Sequence, residues 1–214
     1  MAIRSTFPVV LLLGAAMLGG GERRELELVW LDAHRLFPDF ERVRSEADPI
    51  FRDLGVEVRW EVGSDPRRSG AGKRRIQILL MPSEPSGWGI SPNAMGVVLL
   101  PASALRAPAG LAEASRGPPN RTQLESVYLF YRPILRNVGL GRRGGAVLNP
   151  RERRDVARAI ARVLIHEVIH VIAPNLSHAD EGVMHDSLLF GALSTRDIEI
   201  DDRTIEELLR GLAE

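Results

Sequence analysis

The stretch from Asn149-Pro150 to Pro174 does more than any other to limit how this chain can fold. An asparagine side chain accepts from the free N–H groups at a helix start, and proline at the first helical position sacrifices no hydrogen bond. Pro174 disfavours helical backbone just before it, so one helix is expected from Pro150 to about Ile172. Val156, Ile160, Val163 and Leu164 recur along it at spacings that make a buried stripe, with Arg151, Arg153, Arg154 and Arg158 on wetter faces. A helix this long needs a broad apolar platform, which the rest of the chain must supply.

Alternating apolar residues predict strands at Glu25–Leu31 and Val56–Val62, and apolar runs predict further strands at Arg75–Met81, Met95–Leu100 and Ser126–Tyr131. Phe40, Val43, Ala47, Ile50, Phe51 and Leu54 follow helical spacing, and Gly55 ends that helix. Residues 101–123 are rich in Pro, Ala, Gly and Ser and predict a surface loop. Ile205, Leu208, Leu209 and Leu212 mark a closing helix after Asp201-Asp202. This order predicts an α/β (α+β) domain, with a mixed twisted sheet of about five strands, a long central helix and a C-terminal helix.

With 214 residues, one domain over 22–214 is expected. The first 21 residues read as a signal peptide or N-terminal anchor: Arg4, then an apolar run from Phe7 to Leu18, then Gly19-Gly20-Gly21. That implies export, whether secreted, periplasmic or in the cell envelope. The run is short of the ~20 residues of a membrane span, so membrane attachment follows only if the segment stays uncleaved. Lys+Arg and Asp+Glu balance at 28 each, which leaves no electrostatic footprint for nucleic acid. The chain has no cysteine, so disulfides, thiol nucleophiles and thiolate metal sites are excluded. Any metal must be held by nitrogen and oxygen.

Four of the five histidines (His166, His170, His178 and His185) fall in a twenty-residue window. Two of them bracket a glutamate in His166-Glu167-Val168-Ile169-His170. Positions i and i+4 of a helix share a face with Cβ atoms roughly 6 Å apart, so both imidazoles can reach one metal ion. Glu167 beside them can take a proton from metal-bound water. A catalytic zinc site needs a third protein ligand and an open position. Pro174 and the turn-tolerant Asn175 allow the chain to reverse and bring back His178 as that ligand. Asp180, Glu181, His185, Glu206 and Glu207 are its rivals. His34 reads as a turn residue, Asn120-Arg121-Thr122 as a chance sequon, and Tyr128 and Tyr131 as packing residues of the fifth strand; no oxyanion donor stands out.

The segment HEVIHVIAPNLSH, followed by Gly182-Val183-Met184, resembles the metzincin clan of zincin metalloproteases. That clan's pattern is HExxHxxGxxH followed by a methionine-containing turn. Here Ala173 stands at the glycine position, Leu176 at the third histidine, and His178 two residues later. In this respect the chain is similar to small bacterial zincin-like proteins with a later histidine and a Gly-Leu-Met. The resemblance implies that His166, His170 and His178 hold Zn2+ and that Met184 packs beneath them. It also implies an edge strand near Val97–Leu100 that pairs with extended peptide. The function it implies is a zinc-dependent metalloendopeptidase with Glu167 as general base. The alternatives are a non-catalytic zinc-binding or interaction protein of the same fold, and a zinc hydrolase of non-peptide amides.

Overall fold

The computed structural model describes residues 24–63, 74–99, 125–142, 147–180, 182–185 and 198–213. The N-terminal segment 1–21, the expected loop 101–123 with its sequon, Leu100 and Glu181 lie outside the described residues.

Strand β1 (Arg24–Leu31) leads through a turn in which Asp32 accepts from the N–H groups of Leu36 and Phe37, both at 2.9 Å. His34 is an exposed residue of that turn. Helix α1 (Phe40–Asp53) buries Phe40, Val43, Ala47 and Phe51, the stripe its spacing predicts. Gly55, at φ 75°, turns the chain out of the helix into β2 (Val56–Val62). The indole N–H of Trp60 on β2 donates to Asp48 on α1 at 2.7 Å, tying strand to helix.

Strands β3 (Arg74–Met81), β4 (Gly96–Leu99) and β5 (Glu125–Phe130) complete a five-stranded sheet in the order β2-β1-β3-β5-β4. Neighbours are parallel except β4, which runs antiparallel to β5 and forms one edge. Leu26, Leu28 and Trp30 of β1, Ile76, Ile78 and Leu80 of β3, and Val127 and Leu129 of β5 alternate onto one face and enter the core. Both long helices cover that face. The fold is therefore the mixed sheet and helix layer expected from the order of elements.

Two local readings differ from expectation. Strand β4 begins at Gly96 rather than Met95, and Tyr131 opens a short helix, α2 (Tyr131–Asn137), instead of ending β5. Pro133 sits within the first turn of α2, where its missing N–H costs nothing.

Helix α3 (Pro150–Ile172) keeps both expected ends. Asn149 and Glu152 form a reciprocal capping box, with Asn149 accepting from Arg151 and Glu152 and Glu152 accepting from Asn149. At 23 residues it is about 35 Å long and crosses the sheet from α1 to the β4 edge. Arg158 is half-buried rather than fully wet, because it pairs with Glu46 of α1 at 3.0 Å. Among the described residues no helix is long and apolar enough to cross a membrane.

Helix α4 (Asp202–Gly211) starts on an Asp201 cap and docks on the end of α3. Arg74, at the start of β3, locks this corner. Its guanidinium donates to the carbonyls of Val171 and Gly211, both at 2.9 Å, and pairs with Glu125 through two bonds of 2.6 and 2.8 Å. One side chain thus satisfies the last carbonyls of two helices. The Arg74→Met variant keeps the aliphatic stem and loses these bonds, so it should lower unfolding free energy by roughly 2–3 kcal/mol in urea.

Candidate metal centre

The last turns of α3 place His166, Glu167 and His170 at the end of the sheet nearest β4. The helix closes with Ala173 N–H donating to Ile169 at 2.7 Å, and a turn over Pro174-Asn175 follows, closed by Leu176 N–H to Ala173 at 3.0 Å. Leu176 then plugs into the core at 7% exposure. This explains the departure from the metzincin spacing: position 176 faces inward as an anchor, and the chain reaches the site two residues later. His178 arrives there as an exposed side chain.

The three imidazoles converge. The Nε2 atoms of His166 and His170 are 3.2 Å apart, those of His170 and His178 are 3.0 Å apart, and all three donor nitrogens lie within 4.8 Å of one another. The His170 ring stands nearly perpendicular to the other two, at 76° and 89°, while His166 and His178 stack at 15°. Zn–N bonds of about 2.0–2.1 Å in a tetrahedral set put donor nitrogens about 3.3 Å apart, close to the two separations found. Among the described residues these three histidines are the one group of donors so arranged. His185 forms an isolated backbone bridge with Ala179, and Glu207 pairs with Arg210 on α4. Asp180 is exposed.

Protonation state favours metal binding. Burial, opposed by the hydrogen bond that His166 donates to the Val183 carbonyl, lowers the pKa of His166. Burial first, then its two histidine neighbours, takes His170 down to about 4. His166 Nδ1 lies 2.8 Å from the carbonyl oxygen of Val183. A carbonyl can only accept, so Nδ1 carries the proton and Nε2 presents its lone pair to the centre. This is the outer contact that orients a metal-binding histidine.

Val183 belongs to a single 3-10 turn, Gly182–Met184, whose apolar residues Val183 and Met184 are both 1% exposed and part of the core. The turn is pinned by Val183 N–H to Glu199 at 3.1 Å and Ala179 N–H to Met184 at 2.9 Å. Gly182 has φ 80°, and a Cβ there would collide with the carbonyl of Glu199. Only glycine fits. The Gly182→Ala variant should displace the Val183 carbonyl, destabilise the metal-free protein by about 2–3 kcal/mol and weaken zinc binding about 10–100-fold. Thermal unfolding and chelator competition would measure the two effects.

Glu167 is partly buried, and desolvation pushes its carboxyl up to about 7. It lies against Gly96 of β4, where a methyl group on the glycine would come within 2.7 Å of its Cγ and Oε1. The three histidines singled out from the sequence are brought together here, with Glu167 next to His166 on the same helix. Gly96 and the Val183 carbonyl were not singled out, and for Gly182 the signal was present in Gly-Val-Met. Tyr128 lies on the other sheet face, edge-on to Trp88 at 5.0 Å, and Tyr131 packs on Phe37 at 6.4 Å. Both have packing roles, as expected, though on different elements.

No protein-family model and no curated protein matches the chain. Among solved structures it is similar to archaemetzincin from Methanopyrus kandleri, with a TM-score of 0.50 over 92% of this chain and all of that one, at 14% identity. The likeness is one of fold: a mixed α/β layer of the archaemetzincin type, carrying a three-histidine cluster at the end of its long helix.

Proposed function

We propose that this chain is a zinc-dependent hydrolase, a metalloendopeptidase that cuts extended peptides. The observation that carries the reading is the convergence of three imidazole donors, two of them with pKa lowered by burial, beside a desolvated carboxylate, under β4, an edge strand of the sheet among the described residues. An all-imidazole donor set suits zinc, and the nitrogen separations fit a tetrahedral ion. His166, His170 and His178 would hold it. When bound, zinc supplies Lewis acidity that polarises a carbonyl and acidifies water.

Glu167 serves as the general base and acid. Its carboxylate takes a proton from the attacking water and returns it to the leaving amine, and a pKa near 7 suits both transfers at neutral pH. Strand β4 aligns the substrate. Phe130 N–H donates to the Met95 carbonyl at 2.8 Å, and antiparallel pairs alternate, so the backbone groups of Gly96 and Val98 point off the sheet edge. An extended peptide can pair with them along Gly96–Leu99, which overlaps the Val97–Leu100 stretch expected from the sequence. With the charged start and apolar run of residues 1–21, this extends to an exported enzyme.

Incubation of the zinc-loaded protein with a broad peptide library tests the reading. Cleavage that stops on chelation and resumes with zinc supports it. Stoichiometric zinc with no peptide cut would replace it with a non-catalytic zinc-binding protein.

A further inference from the structure

Gly96 has no conformational reason to be glycine. It lies in a strand, in register with Leu129, and is absent from the residues with positive φ. Glycine weakens a strand interior, and there it usually marks a place where something approaches the backbone closely. What approaches most closely here is the side chain of Glu167. The three atoms nearest a Cβ built on Gly96 are Glu167 Cγ at 2.7 Å, Oε1 at 2.7 Å and Cδ at 2.9 Å. No atom of a histidine donor is among them. Two residues along, on the same face of β4, Val98 carries a side chain that packs against the core. The missing side chain at 96 is thus a local opening in an otherwise filled face, and Glu167 occupies it.

We propose that Gly96 is a positioning residue for Glu167: the bare backbone of the β4 edge forms the wall that sets where the carboxylate stands. The claim rests on the hydrolase reading for the importance of that carboxylate, though the contact itself does not. A methyl group at 96 meets a side chain that can rotate, so Glu167 yields before the strand or the helix does. The cost then falls on geometry. A shift of about 1 Å in a reacting group can lower turnover about 100-fold.

The test is Gly96→Ala in the zinc-loaded full chain. The expected result is kcat lowered about 10–100-fold with KM and zinc affinity each within about threefold of wild type. A crystal structure of the variant should show the Glu167 carboxyl carbon moved by about 1 Å or more. A kcat within threefold of wild type would overturn the proposal, as would a rate that falls in proportion to lost zinc. Thermal midpoints decide the matter if Gly96→Ala folds poorly. The variant should lose less stability when added to Glu167→Ala, where the space is vacated, than when added to wild type. Equal losses in both backgrounds would show that the methyl meets something other than Glu167, and would overturn the proposal. If wild type binds zinc and cuts nothing, the hydrolase reading fails, and the crystal structure and the two-background comparison still decide the role of Gly96.

Discussion

Replacing Glu167 with glutamine is expected to cut peptide turnover about 10²–10⁴-fold while zinc stays bound. The substitution preserves shape and removes the capacity to accept and return a proton. Glu167 is not one of the three converging donors, so the nitrogen set that would hold the metal is untouched. The carboxyl is also held in a desolvated position, with its pKa raised to about 7, so a neutral amide is well tolerated there. The folded state should therefore be as stable as wild type at neutral pH, or slightly more so. A steady-state assay on a cleavable peptide, with zinc measured on the same sample, separates the two effects. Loss of rate together with loss of zinc would mean that Glu167 holds the site together instead of acting in it.

The second large effect is expected at His178. Structural zinc sites bind with about 10–16 kcal/mol over four ligands, or roughly 2.5–4 kcal/mol per ligand, so one lost imidazole costs on the order of 10²–10³ in affinity. His178 is the cleanest of the three to remove. It is exposed, whereas His166 is 7% exposed and bonded to Val183. Its 3.0 Å contact with His170 and its stacking on His166 are solvent-facing, and truncating an exposed side chain usually changes stability by less than about 0.5 kcal/mol. A loss of zinc in His178→Ala, with the metal-free variant and metal-free wild type sharing one thermal midpoint, therefore reports on coordination alone.

Much of this was legible in the sequence, and the missing parts share a physical cause. Strand β2 alternates strictly over Val56–Val62, and α3 carries its cap and its stop within a few residues of each end, so local rules place both. The pair His166 and His170 follows from helix geometry, and the return of His178 follows from the Pro174 turn. Helix α2 was hidden because Tyr131 continues an apolar, strand-like run, and Pro133 is compatible with a first helical turn. The bond from His166 ends on a backbone carbonyl seventeen residues away, and a carbonyl leaves no side-chain signature. Gly96 meets Glu167 only because β4 folds back antiparallel beyond β5, an arrangement set by sheet order and not by any local pattern. Arg74 serves helices that end about 100 and 140 residues downstream, which spacing rules cannot reach.

The central claim is that His166, His170 and His178 together hold one zinc ion. Zinc content per chain, measured after equilibration with a competing chelator, tests it most directly in wild type and His178→Ala side by side. The account predicts one zinc per wild-type chain and affinity weaker by about 10²–10³ in the variant, with both proteins folded. Equal zinc affinity in the two proteins, or a wild type that takes up no zinc, would contradict it.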